Sequence, residues 1–272
     1  MTAAVNPAAP AGNSGLLADK VVVVGGVGPG LGRSIALQAA AAGAKVVLAA
    51  RTASRLEDIA KEIQAAGGTS LQVPTDITDD AAVQALVERS VAEFGHVDVL
   101  VNNAFSLPSM KPLARTDFDH IRSSLDLTVL GGLRMTKAFT DELEKSSGAI
   151  VMINSMVVRH SEPRYGSYKL SKAALLAMSQ TLATELGEKG IRINTVAPGY
   201  IWDDQLKWYF GEVAKKYGIT PEQVYEQTAS KSDLKRLPEP DEIARAAVFL
   251  ASDWASAITG QTLDVNCGEY HV

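Results

Sequence analysis

The chain has 272 residues, 46% of them hydrophobic, and a formal net charge of −5. It can therefore bury a sizeable core, and it lacks the clustered basic residues that a nucleic-acid partner requires. A lone cysteine, Cys267, excludes an internal disulfide, the four dispersed histidines give no metal-site spacing, and no apolar run of about 18 residues predicts a membrane span, so a cytoplasmic protein without a membrane partner is expected.

Residues 1–18 are rich in Ala, Pro, Gly and Asn, whose small or interrupted apolar side chains predict a flexible N-terminal tail, leaving 19–272 as a single domain. From Lys20 onward, β-branched runs alternate with helical patterns. "VVVVG" precedes a helix over 31–43, "KVVLAA" one over 54–66, "SLQVPT" one over 79–94 and "VDVLVNN" one over 118–140. "AIVMINS" then precedes 166–188, and "IRINTVAP" and a helix over 240–251 lead to "TLDVN". Continuously apolar strands separated by helix-length crossovers predict an α/β fold, a doubly wound parallel sheet of about seven strands with helices on both faces. Ligands of such sheets bind beyond the carboxyl ends of the strands.

The segment "VVVVGGVGPGLGRSIA" places a glycine cluster where the first strand meets the first helix. Glycines permit a tight turn and close approach to a phosphate, and the helix start offers unpaired N–H groups and a favourable dipole. Gly26, Gly30 and Gly32 follow a G-x-x-x-G-x-G spacing, which also suits a plain tight turn. Further on, Ser155 follows a strand, and Tyr168 and Lys172 stand four apart in "YKLSK". Four-residue spacing puts phenol and ammonium on one helix face, either as a solvated pair or as a phenol whose proton transfer is assisted by a fixed cation.

Taken together, "GGVGPGLG", "PTDIT", "VNNA", "INS", "YKLSK", "INTVAPG" and "ITGQTLDVNCG" resemble, in order, the motifs of the short-chain dehydrogenase/reductase family over residues 16–268. The resemblance implies a Rossmann-type sheet, a nicotinamide dinucleotide and hydride transfer between an alcohol and a carbonyl. It implies that Tyr168 is the general acid/base, that Lys172 binds the nicotinamide ribose and lowers the Tyr168 pKa, and that Ser155 hydrogen-bonds the reacting oxygen. Gly26, Gly28, Gly30, Leu31 and Gly32 would form the phosphate loop, with Asp76 and Ile77 flanking the adenine. Asn103 and Ala104 would hold the middle of the cofactor, and Pro198, Gly199 and Ile201 would border the nicotinamide. Read without the family, Asp76 and Pro198-Gly199 are also ordinary turn residues, and Asn103 an ordinary strand terminator. The family further implies a homo-oligomer, a tetramer.

Four positions depart from the family pattern. Gly25 replaces a threonine, Cys267 replaces a glycine, and Phe105 replaces the glycine of Asn-Asn-Ala-Gly, which narrows the pocket. Thr128 stands where a catalytic asparagine is usual; its single hydroxyl can hold a relay water with fewer contacts, or it is a structural helix residue. At the end of the second strand, where NAD sites carry a carboxylate for the ribose 2′-OH, the chain reads Ala50-Arg51. Arg51, aided by Ser54 or Arg55, would pair a 2′-phosphate, and Arg33 would lie near the phosphates. NADP(H) is therefore expected, with NAD(H) as the alternative.

Residues 200–238 exceed the length of a simple crossover, and the resemblance places them over the nicotinamide as a substrate lid. Tyr200, Trp202, Trp208, Tyr209 and Phe210 concentrate aromatic area there, either packing internally or facing the cofactor. With Phe105, Met156, Trp202 and Trp208 lining the pocket, a bulky apolar small-molecule ketone or secondary alcohol is the expected substrate. The other readings are an NAD-dependent dehydrogenase working oxidatively and a non-catalytic dinucleotide sensor.

Overall fold

A computed structural model of the protein describes residues 15–271. Seven strands, β1 (Val21–Gly25), β2 (Lys45–Ala50), β3 (Thr69–Pro74), β4 (Val99–Asn102), β5 (Ala149–Ile153), β6 (Arg192–Pro198) and β7 (Thr262–Val265), form one sheet in the order β3-β2-β1-β4-β5-β6-β7. Each neighbouring pair is parallel, which β-branched runs buried on both faces favour. Along β1, alternate valines serve opposite faces. Val22 and Val24 join a core with helices α1 (Leu31–Ala41), α2 (Ala53–Ala65) and α9 (Pro240–Ala251), among them Ile35, Leu56 and Ile243. Val21 and Val23 join the other core with α3 (Asp80–Phe94), α5 (Gly131–Ser146) and α6 (Gly166–Leu186) through Leu86, Phe139 and Leu175. Each such side chain contributes about 1.5–3 kcal/mol by burial.

Strand order reverses between β1 and β4, whose ends Gly25 and Asn102 are in register, and the crevice above them is the binding position of such sheets. Helix α4 (Phe118–Leu125) continues through a π-helical turn, Asp126–Leu130, into α5, so the helix expected over 118–140 runs further, to Ser146. Residues 200–238 contain two helices, α7 (Asp204–Tyr217) and α8 (Pro221–Ala229), which share a small core of Phe210, Ala214, Val224, Ala229 and Leu237.

The expected tail boundary needs correction. Leu17 is fully buried in the first core and its N–H donates to the Ala42 carbonyl at 2.9 Å, so the domain begins by Gly15; residues 1–14 lie outside the described residues. Cys267 adopts φ 56°, the left-handed region that its usual glycine occupies without side-chain cost.

Candidate active site

The glycine loop joins β1 to α1. Gly26 has φ +87°, and a Cβ there would lie 2.4 Å from the Ala104 nitrogen; one on Gly32 would lie 2.6 Å from the Gly26 carbonyl oxygen. Both positions need glycine for the loop to close against the end of β4. Asn103 locks that contact, its Nδ2 donating to the Gly26 carbonyl at 2.8 Å. Helices α1 and α2 begin without a side-chain cap, whereas Asp79 caps α3 and Asp203 caps α7. Their first N–H groups and positive dipole ends thus remain available to an anion.

These elements border a cleft of about 620 Å³. Every expected cofactor residue lines it: the loop residues Gly26, Gly28, Gly30, Leu31 and Gly32; Arg51; Asp76 and Ile77; Asn103 and Ala104; Tyr168 and Lys172; and Pro198, Gly199 and Ile201. Thr52 and Arg55 join Arg51 on the wall, and Ala50 leaves it without a carboxylate at the end of β2. Arg33 also lines the cleft, but its guanidinium is engaged by both carboxylate oxygens of Glu62. Asp76 accepts from the Thr78 backbone N–H at 2.9 Å and from its hydroxyl at 2.7 Å, which, with Arg51 and Arg134 nearby, hold its carboxyl below the usual range. Glycines at the phosphate position, uncapped helix starts and a cleft of this volume fit a dinucleotide.

The catalytic candidates meet where β5 ends. Ser155 caps the short turn after β5, its hydroxyl accepting from the Val157 N–H at 3.2 Å, and α6 carries Tyr168 and Lys172 across from it. Lys172 is buried and donates from Nζ to the Ile153 carbonyl at 2.8 Å; its nitrogen stands 5.7 Å from the Tyr168 ring centroid. Burial pushes the Tyr168 phenol up to about 12, against a hydrogen bond with Ser155, and pushes Lys172 down to about 7. Phe105 sets its ring at 6.2 Å from that of Tyr168, edge to face, with the Lys172 nitrogen 5.4 Å from its centroid. The bulky side chain at this position thus packs against both Tyr168 and Lys172.

A second cavity of about 360 Å³ adjoins Tyr168 and Ser155 and is lined by Phe105, Met156 and Trp208. Two expectations change here. Trp202 is not in this cavity: it packs in the core between α7 and α8, at 4.6 Å from the Tyr225 ring and 5.6 Å from that of Phe210, and borders the larger cleft. Thr128 lines neither cavity; it is buried in the π-helical turn and its hydroxyl accepts from the Ser106 N–H at 3.4 Å, tethering the chain after β4.

Sequence reasoning missed three contributors. Asn154 donates from Nδ2 to the Lys172 carbonyl at 3.1 Å and accepts from the Ser155 N–H at 2.9 Å, so it clamps the catalytic turn to α6; its place beside Ser155 was the available signal. Asp203 borders both cavities, and its carboxylate stands where a Cβ on Gly30 would lie 2.7 Å away, facing the phosphate loop. Tyr165 lines the smaller cavity from the turn before α6 and had no sequence signal beyond being aromatic.

The chain is similar over most of its length to several known proteins. The family described as Enoyl-(Acyl carrier protein) reductase matches residues 26–270. The 7alpha-hydroxysteroid dehydrogenase of Escherichia coli is 35% identical over 256 residues, 93% of this chain and 94% of that one. A 3-oxoacyl-acyl-carrier-protein reductase, FabG of Staphylococcus epidermidis, is 33% identical, covering 93% of this chain and 99% of that one. Among solved structures, 7alpha-hydroxysteroid dehydrogenase complexed with NADH and 7-oxo glycochenodeoxycholic acid superposes with a TM-score of 0.82 at 36% identity, over 93% of this chain and 94% of that one. An NAD+-bound xylitol dehydrogenase gives 0.86 at 28% identity, over 93% and 99%.

Proposed function

The chain belongs to the short-chain dehydrogenase/reductase family, as an NAD(P)-dependent enzyme acting on hydroxyl or keto groups, and from that premise we propose that it uses NADP(H) to interconvert bulky apolar ketones and secondary alcohols. The observation that carries the cofactor choice is the wall at the end of β2: Ala50 in place of a carboxylate, then Arg51, Thr52 and Arg55 around the uncapped start of α2. A guanidinium pair and a helix N-terminus suit a 2′-phosphate.

The nicotinamide, when bound, supplies or accepts the hydride. Gly26 to Gly32 and the start of α1 would hold the pyrophosphate, and Lys172 the nicotinamide ribose. Tyr168 exchanges the proton at the substrate oxygen, and Ser155 orients that oxygen by a hydrogen bond. With its pKa near 12, Tyr168 is protonated at neutral pH and poised as an acid, the form that ketone reduction needs. Acting as a base requires the ammonium charge of Lys172 and a pKa brought down toward working pH. Asn154 and the Ile153 carbonyl fix Lys172 to the end of β5, the first through the Lys172 backbone carbonyl and the second through Nζ.

The substrate reading rests on the apolar walls of the smaller cavity, where burial is worth about 25 cal/mol per Å² and an unmatched sugar hydroxyl carries a desolvation cost. The proposed reading also includes work in the cytoplasm and assembly as a homotetramer, the second tested by light scattering; no helix among the described residues is long and apolar enough to cross a membrane. A second reading, NAD(H), draws on the NADH and NAD+ held by two similar structures. Titrating NADPH and NADH into the wild type and Arg51→Ala separates them. Loss of a charge-assisted contact is expected to weaken NADPH by about 1.5–3 kcal/mol and to leave NADH nearly unchanged. Wild-type preference for NADH, or equal losses for both, would reverse the cofactor assignment.

A further inference from the structure

The smaller cavity has an unequal chemistry. Its body is apolar, with Phe105, Leu107, Met110, Met156 and Trp208, but Tyr165, Tyr200 and Tyr209 also open onto it. Tyr165, three residues before Tyr168 on the chain, lies close to Tyr200 and Tyr209, which both pack on Phe210, so the three phenols form one cluster on the cavity wall. A phenol network of this kind can donate to or accept from a neutral partner by rotating its hydroxyls.

Charge is distributed with the same bias. Two carboxylates, Glu162 and Asp203, face the cavity, and among the described residues that line it there is no Lys or Arg. The nearby lysines are engaged elsewhere: Lys169 donates to the His160 carbonyl at 2.6 Å and to the Ser161 hydroxyl at 2.8 Å, and Lys111 pairs with Asp117 at 2.7 Å. His160, the remaining basic side chain on the wall, is stacked on Tyr270 at 4.4 Å between ring centroids and stands 3.9 Å from Glu162. An anionic group entering here would lose its water, meet two carboxylates and find no Lys or Arg among the described lining residues.

We propose that this cavity selects uncharged ketones and alcohols whose apolar body carries a second, neutral hydrogen-bonding group, received by the Tyr165–Tyr200–Tyr209 cluster, and that it rejects substrates ending in an anion. The inference rests on the proposed oxidoreductase reading and narrows its substrate class. It also separates this chain from a relative bound to 7-oxo glycochenodeoxycholic acid, whose acid group is the feature disfavoured here.

Three matched ketones test it: 4-cyclohexylcyclohexanone, its analogue with a hydroxyl at the far ring position, and its analogue with a carboxylate there. Binding to enzyme saturated with the nucleotide it prefers, read by quenching of Trp208 fluorescence, gives affinity whether or not turnover follows, and kcat/KM is measured alongside. The hydroxy ketone should bind about fivefold to tenfold more tightly than the parent, the range for one neutral hydrogen bond. The carboxylate should bind at least about a hundredfold more weakly than the hydroxy ketone. Tyr165→Phe, Tyr200→Phe and Tyr209→Phe each remove a hydroxyl while keeping the ring, and at least one should bring the ratio of hydroxy ketone to parent close to unity. The inference is overturned if the carboxylate binds as well as the hydroxy ketone, if the hydroxy ketone binds no better than the parent or not at all, or if its advantage survives all three variants. If no ketone or alcohol is turned over with either nucleotide, the oxidoreductase reading itself fails, whatever the binding order.

Discussion

Tyr168 and Lys172 experience opposite consequences of the same burial: the neutral phenol and the neutral amine are both favoured, moving their pKa values to about 12 and about 7. For the phenol this suits proton donation. For the amine it means that the charge needed to steady a phenolate is lost near neutrality in the nucleotide-free enzyme. Because kcat/KM for NADPH reports that free form, it should fall as pH rises through about 7, the sign expected when the protonated amine is the active form. Lys172→Arg, which stays charged, should move the fall upward by at least about two pH units, at reduced overall rate because a planar fork cannot replace a compact ammonium. A flat wild-type profile from pH 6 to about 9 would show that the ammonium is retained. Tyr168→Phe keeps the ring against Phe105 but removes the proton, so turnover should drop by about 10² to 10⁴ while NADPH still binds. Near-normal turnover in that variant would move the general acid elsewhere. The pairing of these two residues was legible in the sequence because four-residue spacing on a helix dictates a shared face. The fate of Thr128 was not, because whether a buried hydroxyl meets water or the Ser106 N–H depends on how the chain after β4 returns, a tertiary fact.

At the scale of elements, the α7–α8 helix pair shows how aromatic content and aromatic direction differ as signals. Trp202 and Trp208 were equal in sequence, but Trp202 precedes α7 and packs inward on Phe210 and Tyr225, whereas Trp208, on an outer turn of α7, is 68% exposed and borders the cavity. Trp202→Ala should therefore lower thermal stability, by part of the roughly 3–5 kcal/mol typical of a fully buried aromatic, since Trp202 is half-buried against the α7–α8 core. Trp208→Ala should leave the melting temperature within about a degree or two and raise KM for apolar ketones severalfold. Thermal melts and ketone kinetics on both variants check the contrast, and an equal loss of stability in the two would return Trp208 to the lid core. Asp203 adds an electrostatic role to the same element. It caps α7 through the Leu206 N–H at 2.9 Å while its other oxygen faces the glycine loop, where it would oppose a pyrophosphate bound as proposed. Asp203→Asn retains the cap and removes the charge, and NADPH should bind about fivefold to tenfold more tightly by calorimetry, for a repulsion of roughly 1 kcal/mol. Weaker binding would mean that the carboxylate orients the nucleotide instead of repelling it.

For the whole molecule, the parallel sheet and its order of layers were legible because the central strands β1, β4 and β5 are nearly unbroken apolar runs and the crossovers are helix-length patterns. Two features were not: the length of the α4–α5 helix, whose π-helical turn breaks the 3.6-residue period, and the start of the domain, where Leu16-Leu17 is too short a run to announce a buried contact. What the fold leaves on its surface bears on assembly. Phe118 on α4 is 74% exposed, and Leu130 and Leu170 on the adjoining helices are also exposed, although α4 and α6 otherwise pack well. A second set lies apart from it, with Trp254 after α9 at 78% exposure and Leu263 on β7, the sheet's unpaired edge strand. An isolated exposed leucine is ordinary, but two grouped faces, one on the helical layer of α4 to α6 and one at the β7 edge of the sheet, suit two different two-fold interfaces. Two isologous contacts at different angles close into a tetramer with dihedral symmetry, which agrees with the expected homotetramer. Light scattering on the wild type should thus give about four times 28.8 kDa. Phe118→Glu with Leu170→Glu should give a dimer, Trp254→Glu a dimer of the other kind, and the three substitutions together a monomer, each with an unchanged far-ultraviolet spectrum. A wild-type mass of 28.8 kDa would remove both interfaces at once, and a stable dimer insensitive to one pair would assign assembly to the other face alone.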